Sequence, residues 1–161
     1  MLARELPGAQ RLDALRRAAE VDAFREDVAR RARALGLQPL RWPAAFPFDS
    51  ELAMRVATYA MQIGRTVPFA QAAFRQAFAG GHDLSDPDYV LIAAAACEMH
   101  PRAVLSAAQR DSVGEQLRAS TAAASGAGVC DVPAVRVGQQ VFHGERAIAQ
   151  AREALSGAAQ A

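Results

Sequence analysis

The chain has 161 residues, enough for one domain with a real hydrophobic core. Apolar residues make up 52% and charged residues 22%, an ordinary globular balance, and a formal net charge of +1 argues against a protein built to neutralise nucleic-acid phosphates. All 18 fixed positive charges are arginine, so Schiff-base chemistry and a lysine base are excluded.

No stretch is long and apolar enough to span a membrane. The opening, Met1-Leu2-Ala3-Arg4-Glu5-Leu6-Pro7-Gly8, lacks the apolar run of a signal peptide. The expected location is therefore the cytoplasm, where structural disulfides are uncommon. Cys97 and Cys130 are far apart and form no metal-ligand pattern, nor do His82, His100 and His143, so no metal is expected.

Taken in chain order, residues 9–19 read as a short arginine-rich helix. Asp22 reads as the N-cap of a second helix, with Phe24, Val28, Ala32 and Leu35 at helical spacing and Gly36 as its stop. Residues 37–48 hold Pro39, Pro43 and Pro47, a density that forbids a helix and favours extended backbone. The next helix starts at Asp49 or Ser50, with Leu52, Val56, Tyr59 or Ala60, and Ile63 as its apolar stripe before Gly64. Another runs from Val67 through Phe69, Ala73, Phe74 and Ala77 to Gly80-Gly81. Ser85 and Asp88 have capping-box spacing, which starts a helix that continues to Met99. Pro101 opens a short helix to Ala108, and Asp111 or Ser112 opens one carrying Val113, Leu117 and Ala124.

The pattern then changes to strand–turn–strand. Residues 133–137 alternate as a strand, Gly138-Gln139 is a tight turn, and Gln140-Val141-Phe142 returns. A last helix spans residues 145–155. Two short strands are marginal alone, so this hairpin calls for partner strands from elsewhere in the fold or from another chain.

The order of these segments carries a resemblance. Gly128-Val129-Cys130-Asp131-Val132-Pro133-Ala134 resembles the cis-proline segment of DsbA-like proteins of the thioredoxin superfamily. Leu40-Arg41-Trp42-Pro43 and Phe46-Pro47-Phe48-Asp49-Ser50 resemble the corresponding stretch of 2-hydroxychromene-2-carboxylate isomerases and kappa-class glutathione transferases. Phe74-Arg75-Gln76-Ala77-Phe78 with Asp83-Leu84-Ser85-Asp86-Pro87 is similar to the helical insertion of that group. Val141-Phe142-His143-Gly144-Glu145-Arg146 is similar to its Phe-x-Gly-x-Asp-Arg ending, with one residue fewer.

What the resemblance implies is an α/β thioredoxin-like fold with a large helical insertion, this chain being mostly α with one C-terminal hairpin. The helical part would span residues 22–127, and residues 128–155 would carry the cis-proline loop, the hairpin and the last helix. The implied activity is a thiol- or glutathione-dependent oxidoreductase or isomerase reaction on a small-molecule or thiol substrate, with glutathione as the cofactor and no metal. In that group the reactive cysteine or serine opens a helix inside a strand–helix–strand unit, where the helix end stabilises a thiolate. Nothing in residues 1–21 reads as that unit. The expectation is an incomplete domain, from a late start site or a trimmed chain, with weak or no activity alone.

The implied binding residues each have a plainer alternative. Val132-Pro133, if cis, would present the Val132 N–H and C=O to a thiol substrate like an added strand; a trans proline would merely start an edge strand. Glu145 and Arg146 would help hold glutathione, or simply open a helix. Asp49 would contact substrate, or act as an N-cap. Trp42 and Phe46 would wall an aromatic-substrate pocket, or pack the connector onto a core. Cys130 reads as a small, half-buried side chain because no basic neighbour is evident in the sequence, the alternative being a substrate-facing thiol. Cys97 reads as a core residue, His100 as a helix cap, and His143 as the one histidine near the presumed active edge. Two other readings stay open: a non-catalytic helical module that recruits a partner or forms a homodimer through the hairpin edge, and an unrelated all-helical enzyme.

Overall fold

The computed structural model describes residues 18–144 and 146–158. It contains two compact units, one of residues 18–118 and one of residues 119–158 among those described. The 9–19 helix expected from the sequence falls almost wholly outside the described residues.

The first unit is helical. Helix α1 spans Ala18–Ala34, α2 Glu51–Gln62, α3 Thr66–Arg75, α4 Pro87–Ala95 and α5 Pro101–Gln109, and α6, Asp111–Gly126, begins in this unit and continues into the second. A single π-helical turn, Gln76–Gly80, prolongs α3 and closes at Gly81. The core is built from small residues, as an alanine-rich composition requires. Val56, Ala60, Phe69, Val90, Ala93, Ala94 and Val104 are wholly or almost wholly buried in one cluster, so α2, α3, α4 and α5 pack closely through alanine faces.

Several expectations need correction. Asp22 is not an N-cap: α1 runs straight through it from Ala18. Leu35 and Ile63 are exposed at 74% and 44%, because each lies in the turn that follows its helix rather than on the buried face. The cap of α4 is Asp86, whose carboxylate accepts the Asp88 N–H at 2.9 Å, and not Ser85. Pro87 takes the first helical position, where its missing N–H costs nothing, and that makes Asp86 the capping residue. Helix α4 ends at Ala95 instead of reaching Met99. Its last carbonyls are closed by Met99 N–H to Ala94 O at 3.1 Å and Glu98 N–H to Ala95 O at 3.0 Å, with Glu98 in the left-handed region at φ 61°. His100 then caps α5, its Nδ1 accepting the Arg102 N–H at 3.3 Å.

One internal cation ties this unit together. Arg55, on α2, donates from Nη1 to Ala108 O at 2.8 Å, satisfying a carbonyl at the end of α5, and to Arg110 O at 3.4 Å, which also accepts the Val113 and Gly114 N–H groups. Its guanidinium lies against Gly114 at the start of α6; a Cβ there would come within 2.5 Å of Arg55 Nη2.

The second unit holds the end of α6, a two-stranded antiparallel sheet and the last helix. Strand β1 is Ala134–Val137 and β2 is Gln140–His143, paired Ala134 to His143 through Val137 to Gln140. Gly138 supplies the positive φ, 59°, that a two-residue hairpin turn requires. Helix α7, Ala147–Ala158, packs on both strands through the buried Ala147 and Ala151. Among the described residues the sheet has two strands, so both of its outer edges are unpaired.

Candidate functional site

The loop between α6 and β1 is set by how α6 ends. Gly128, at φ 91°, occupies the left-handed position after the helix. The Gly128 N–H donates to Ser125 O and the Val129 N–H to Ala124 O, each at 3.0 Å, the double closure that stops a helix and turns the chain out of its axis. Cys130, Asp131 and Val132 follow at once, and the Val132–Pro133 peptide is cis; Phe46–Pro47 is also cis.

Val132 is exposed at 56%. Its N–H donates to Asp131 Oδ1 at 2.8 Å. At the base of the hairpin the Gly144 N–H donates to Pro133 O at 2.9 Å, which fixes the end of β2 beside the proline. Arg146 follows in an exposed turn just before α7, its carbonyl accepting the Gln150 N–H at 2.9 Å. Val132, Pro133 and the Gly144–Arg146 turn are thus brought to one end of the ribbon. Glu145 lies outside the described residues.

The same closure brings in a residue pair that sequence distance hides. His143, the last residue of β2, points its Nε2 at the loop: the Cys130 N–H lies 3.3 Å away and Cys130 Sγ 3.6 Å away. Cys130 is exposed, not half-buried, and a basic neighbour stands against its sulfur. Thirteen residues separate the two, so no local pattern could join them; the hairpin does. Cys97 is the opposite case. It is buried, its Sγ donates to Ala93 O at 3.3 Å, and burial pushes the thiol up, opposed in part by the nearby Arg65 charge.

The other two expected binding residues belong to the first unit. Asp49 Oδ1 accepts the Glu51 N–H at 2.9 Å, satisfying the first backbone donor of α2, whose N-cap position is held by Ser50. Trp42 is half-buried among aromatic edges: Phe46 at 5.1 Å and Phe24 and Phe78 at 5.8 Å between ring centroids, with the Arg25 guanidinium 5.7 Å from its face. The Arg41 N–H to Phe78 O bond, 2.8 Å, holds the connector to the π turn beside it. Both residues therefore have structural partners, and the cluster that holds Trp42 joins the connector to α1 and the π turn.

Among the described residues no group of three or more His, Cys, Asp or Glu side chains could hold a metal ion, and no helix is long and apolar enough to cross a membrane.

The architecture of a helical block followed by a proline loop, a hairpin and a closing helix is that of a DsbA-like thioredoxin fold. A family model described as "DSBA-like thioredoxin domain" matches residues 4–156, and the chain belongs to that family. Among solved structures, a selenomethionine form of 2-hydroxychromene-2-carboxylate isomerase is similar with a TM-score of 0.72 at 18% identity, the match covering 88% of this chain and 68% of the isomerase chain. That likeness is one of fold. No curated protein matches the chain.

Proposed function

We propose that this chain takes part in thiol- or glutathione-dependent oxidoreductase or isomerase chemistry of the kind carried out by 2-hydroxychromene-2-carboxylate isomerase, acting in the cytoplasm on a small-molecule substrate. The observation that carries the reading is the family match over residues 4–156, which includes the whole loop, hairpin and last helix. In this reading the Val132 backbone pairs with an extended thiol such as glutathione, exchanging its bond to Asp131 for one to the ligand. Arg146, and Glu145 beside it, contribute charge for the ligand's ionised ends. Trp42 and Asp49 contribute to the substrate side.

Among the described residues no cysteine or serine opens a helix that follows a strand. In this reading the purified chain binds glutathione while turning over isomerase or disulfide-reductase substrates weakly or not at all. Two-dimensional amide NMR tests it: titration with reduced glutathione should shift Val132, Ala134 and Gly144, and Arg146→Ala should weaken the apparent affinity about tenfold, the loss of one charge-assisted bond. Amide spectra that stay unchanged at millimolar glutathione would remove the proposal.

A second reading rests on the two unpaired edges of the hairpin. If the ribbon recruits a strand from another copy, sedimentation should reveal a concentration-dependent dimer without affinity for glutathione.

A further inference from the structure

We propose that Cys130 and His143 form a thiol–imidazole pair that undergoes exchange with small disulfides, so that Cys130 is a modification site on the proline loop. This inference stands apart from glutathione recognition and from the activating unit discussed above. It rests on three facts: the sulfur is exposed, the imidazole Nε2 is 3.6 Å from it, and both residues are held by backbone structure. Gly128 and the end of α6 place Cys130, and the β1–β2 register places His143 opposite Ala134.

The tautomer follows from the hydrogen bonds. The Cys130 N–H points at Nε2, so that nitrogen carries a lone pair and the ring proton sits on Nδ1. That lone pair can take the thiol proton from Sγ, 3.6 Å away, once it gives up its 3.3 Å bond to the Cys130 N–H, which turns to solvent on the exposed loop. The thiolate, not the thiol, attacks a disulfide. In the exchange, the Cys130 proton passes to Nε2 and the sulfur attacks one sulfur of the disulfide RS–SR. A bond forms between Cys130 Sγ and that sulfur as the original S–S bond breaks. The departing RS⁻ takes the proton from the imidazolium and leaves as RSH. Cys130 is oxidised to the mixed disulfide, half of the small disulfide is reduced to thiol, and no further oxidant is needed.

Cys97 is a built-in control: buried and bonded to Ala93 O, it has neither access nor a base at its sulfur. The experiment exposes the native chain separately to glutathione disulfide and to 2-hydroxyethyl disulfide, which lacks every charged group of glutathione. Intact mass and peptide mapping then follow adduct formation. Both probes should add one group, on Cys130 alone, and Cys130→Ser should abolish it. His143→Gln keeps a hydrogen-bond acceptor but removes the base that takes the proton, and should slow the reaction about tenfold. The wild-type chain unfolded in urea at the same pH supplies a second comparison: its Cys130 should react about tenfold more slowly than in the native chain, because the pairing is lost. Equal native and unfolded rates at Cys130, an unchanged rate in His143→Gln, or labelling of Cys97 first would each overturn the proposal. Reaction with 2-hydroxyethyl disulfide in a chain that binds no glutathione would uphold the pair while removing the glutathione reading.

Discussion

Arg55 illustrates how a single side chain stabilises the first unit. Its charge is four-fifths covered, and the cover is tolerable because its donors meet the carbonyls of Ala108 and Arg110 and its Nε meets Glu51 at 3.3 Å. Arg55→Met keeps most of the apolar stem and removes the donors, taking from Ala108 O its bond to the guanidinium, while Arg110 O keeps the Val113 and Gly114 N–H groups. It should lower stability by about 2 kcal/mol, the range for a hydrogen bond to a charged group, read as a drop in the urea midpoint at unchanged slope. Surface pairs are a different matter. Arg65–Glu98 at 2.9 Å is exposed and contributes little. Cys130 shows the limit of reading residues one at a time. In the sequence it has no basic neighbour; in the folded chain His143 is against it.

At the scale of elements, several helix boundaries were legible from the residue types that stand at them, though Asp22 and Ser85 show that a capping residue type alone does not fix the cap. Gly36, Gly64 and Gly128 each follow the last turn of a helix, and Pro87 and Pro101 each open one. The end of α4 was hidden because no glycine marks it. Glu98 occupies the left-handed position there, at φ 61°, and its sequence context among alanine, cysteine and methionine reads as continuing helix. A side chain at that position costs about 1 kcal/mol, more than its exposed pair with Arg65 returns. Glu98→Gly should therefore stabilise the chain by roughly 0.5–1 kcal/mol, an upward shift of the thermal midpoint that calorimetry would detect. The hairpin was legible throughout, since alternation and a Gly-led turn fix its register locally.

At the scale of the whole molecule, the buried apolar cluster around Val56, Phe69, Val90 and Val104 lies in the helical unit, while the described residues of the second unit place the end of α6 and one helix beside a two-stranded ribbon. Native-state hydrogen exchange should follow that division. Amides of Val56, Ala60, Ala93 and Val104 should exchange slowest, through global opening, and amides on the outer edges of β1 and β2 should exchange fastest among the strand and core-helix positions. Slow exchange along the strand edges would mean that a partner strand covers them. The class of fold was legible along the chain, because periodicity, capping residues, turn residues and the order of the family-like segments are local properties. The sequence also marked Val132, Pro133, Glu145 and Arg146 as candidate binding residues, of which Glu145 lies outside the described residues. Folding in three dimensions set Trp42 among Phe24, Phe46 and Phe78, Asp131 on the Val132 N–H, and His143 against Cys130. Those contacts join residues that are distant along the chain or depend on the direction of one side chain, and packing alone brings such groups within bonding distance.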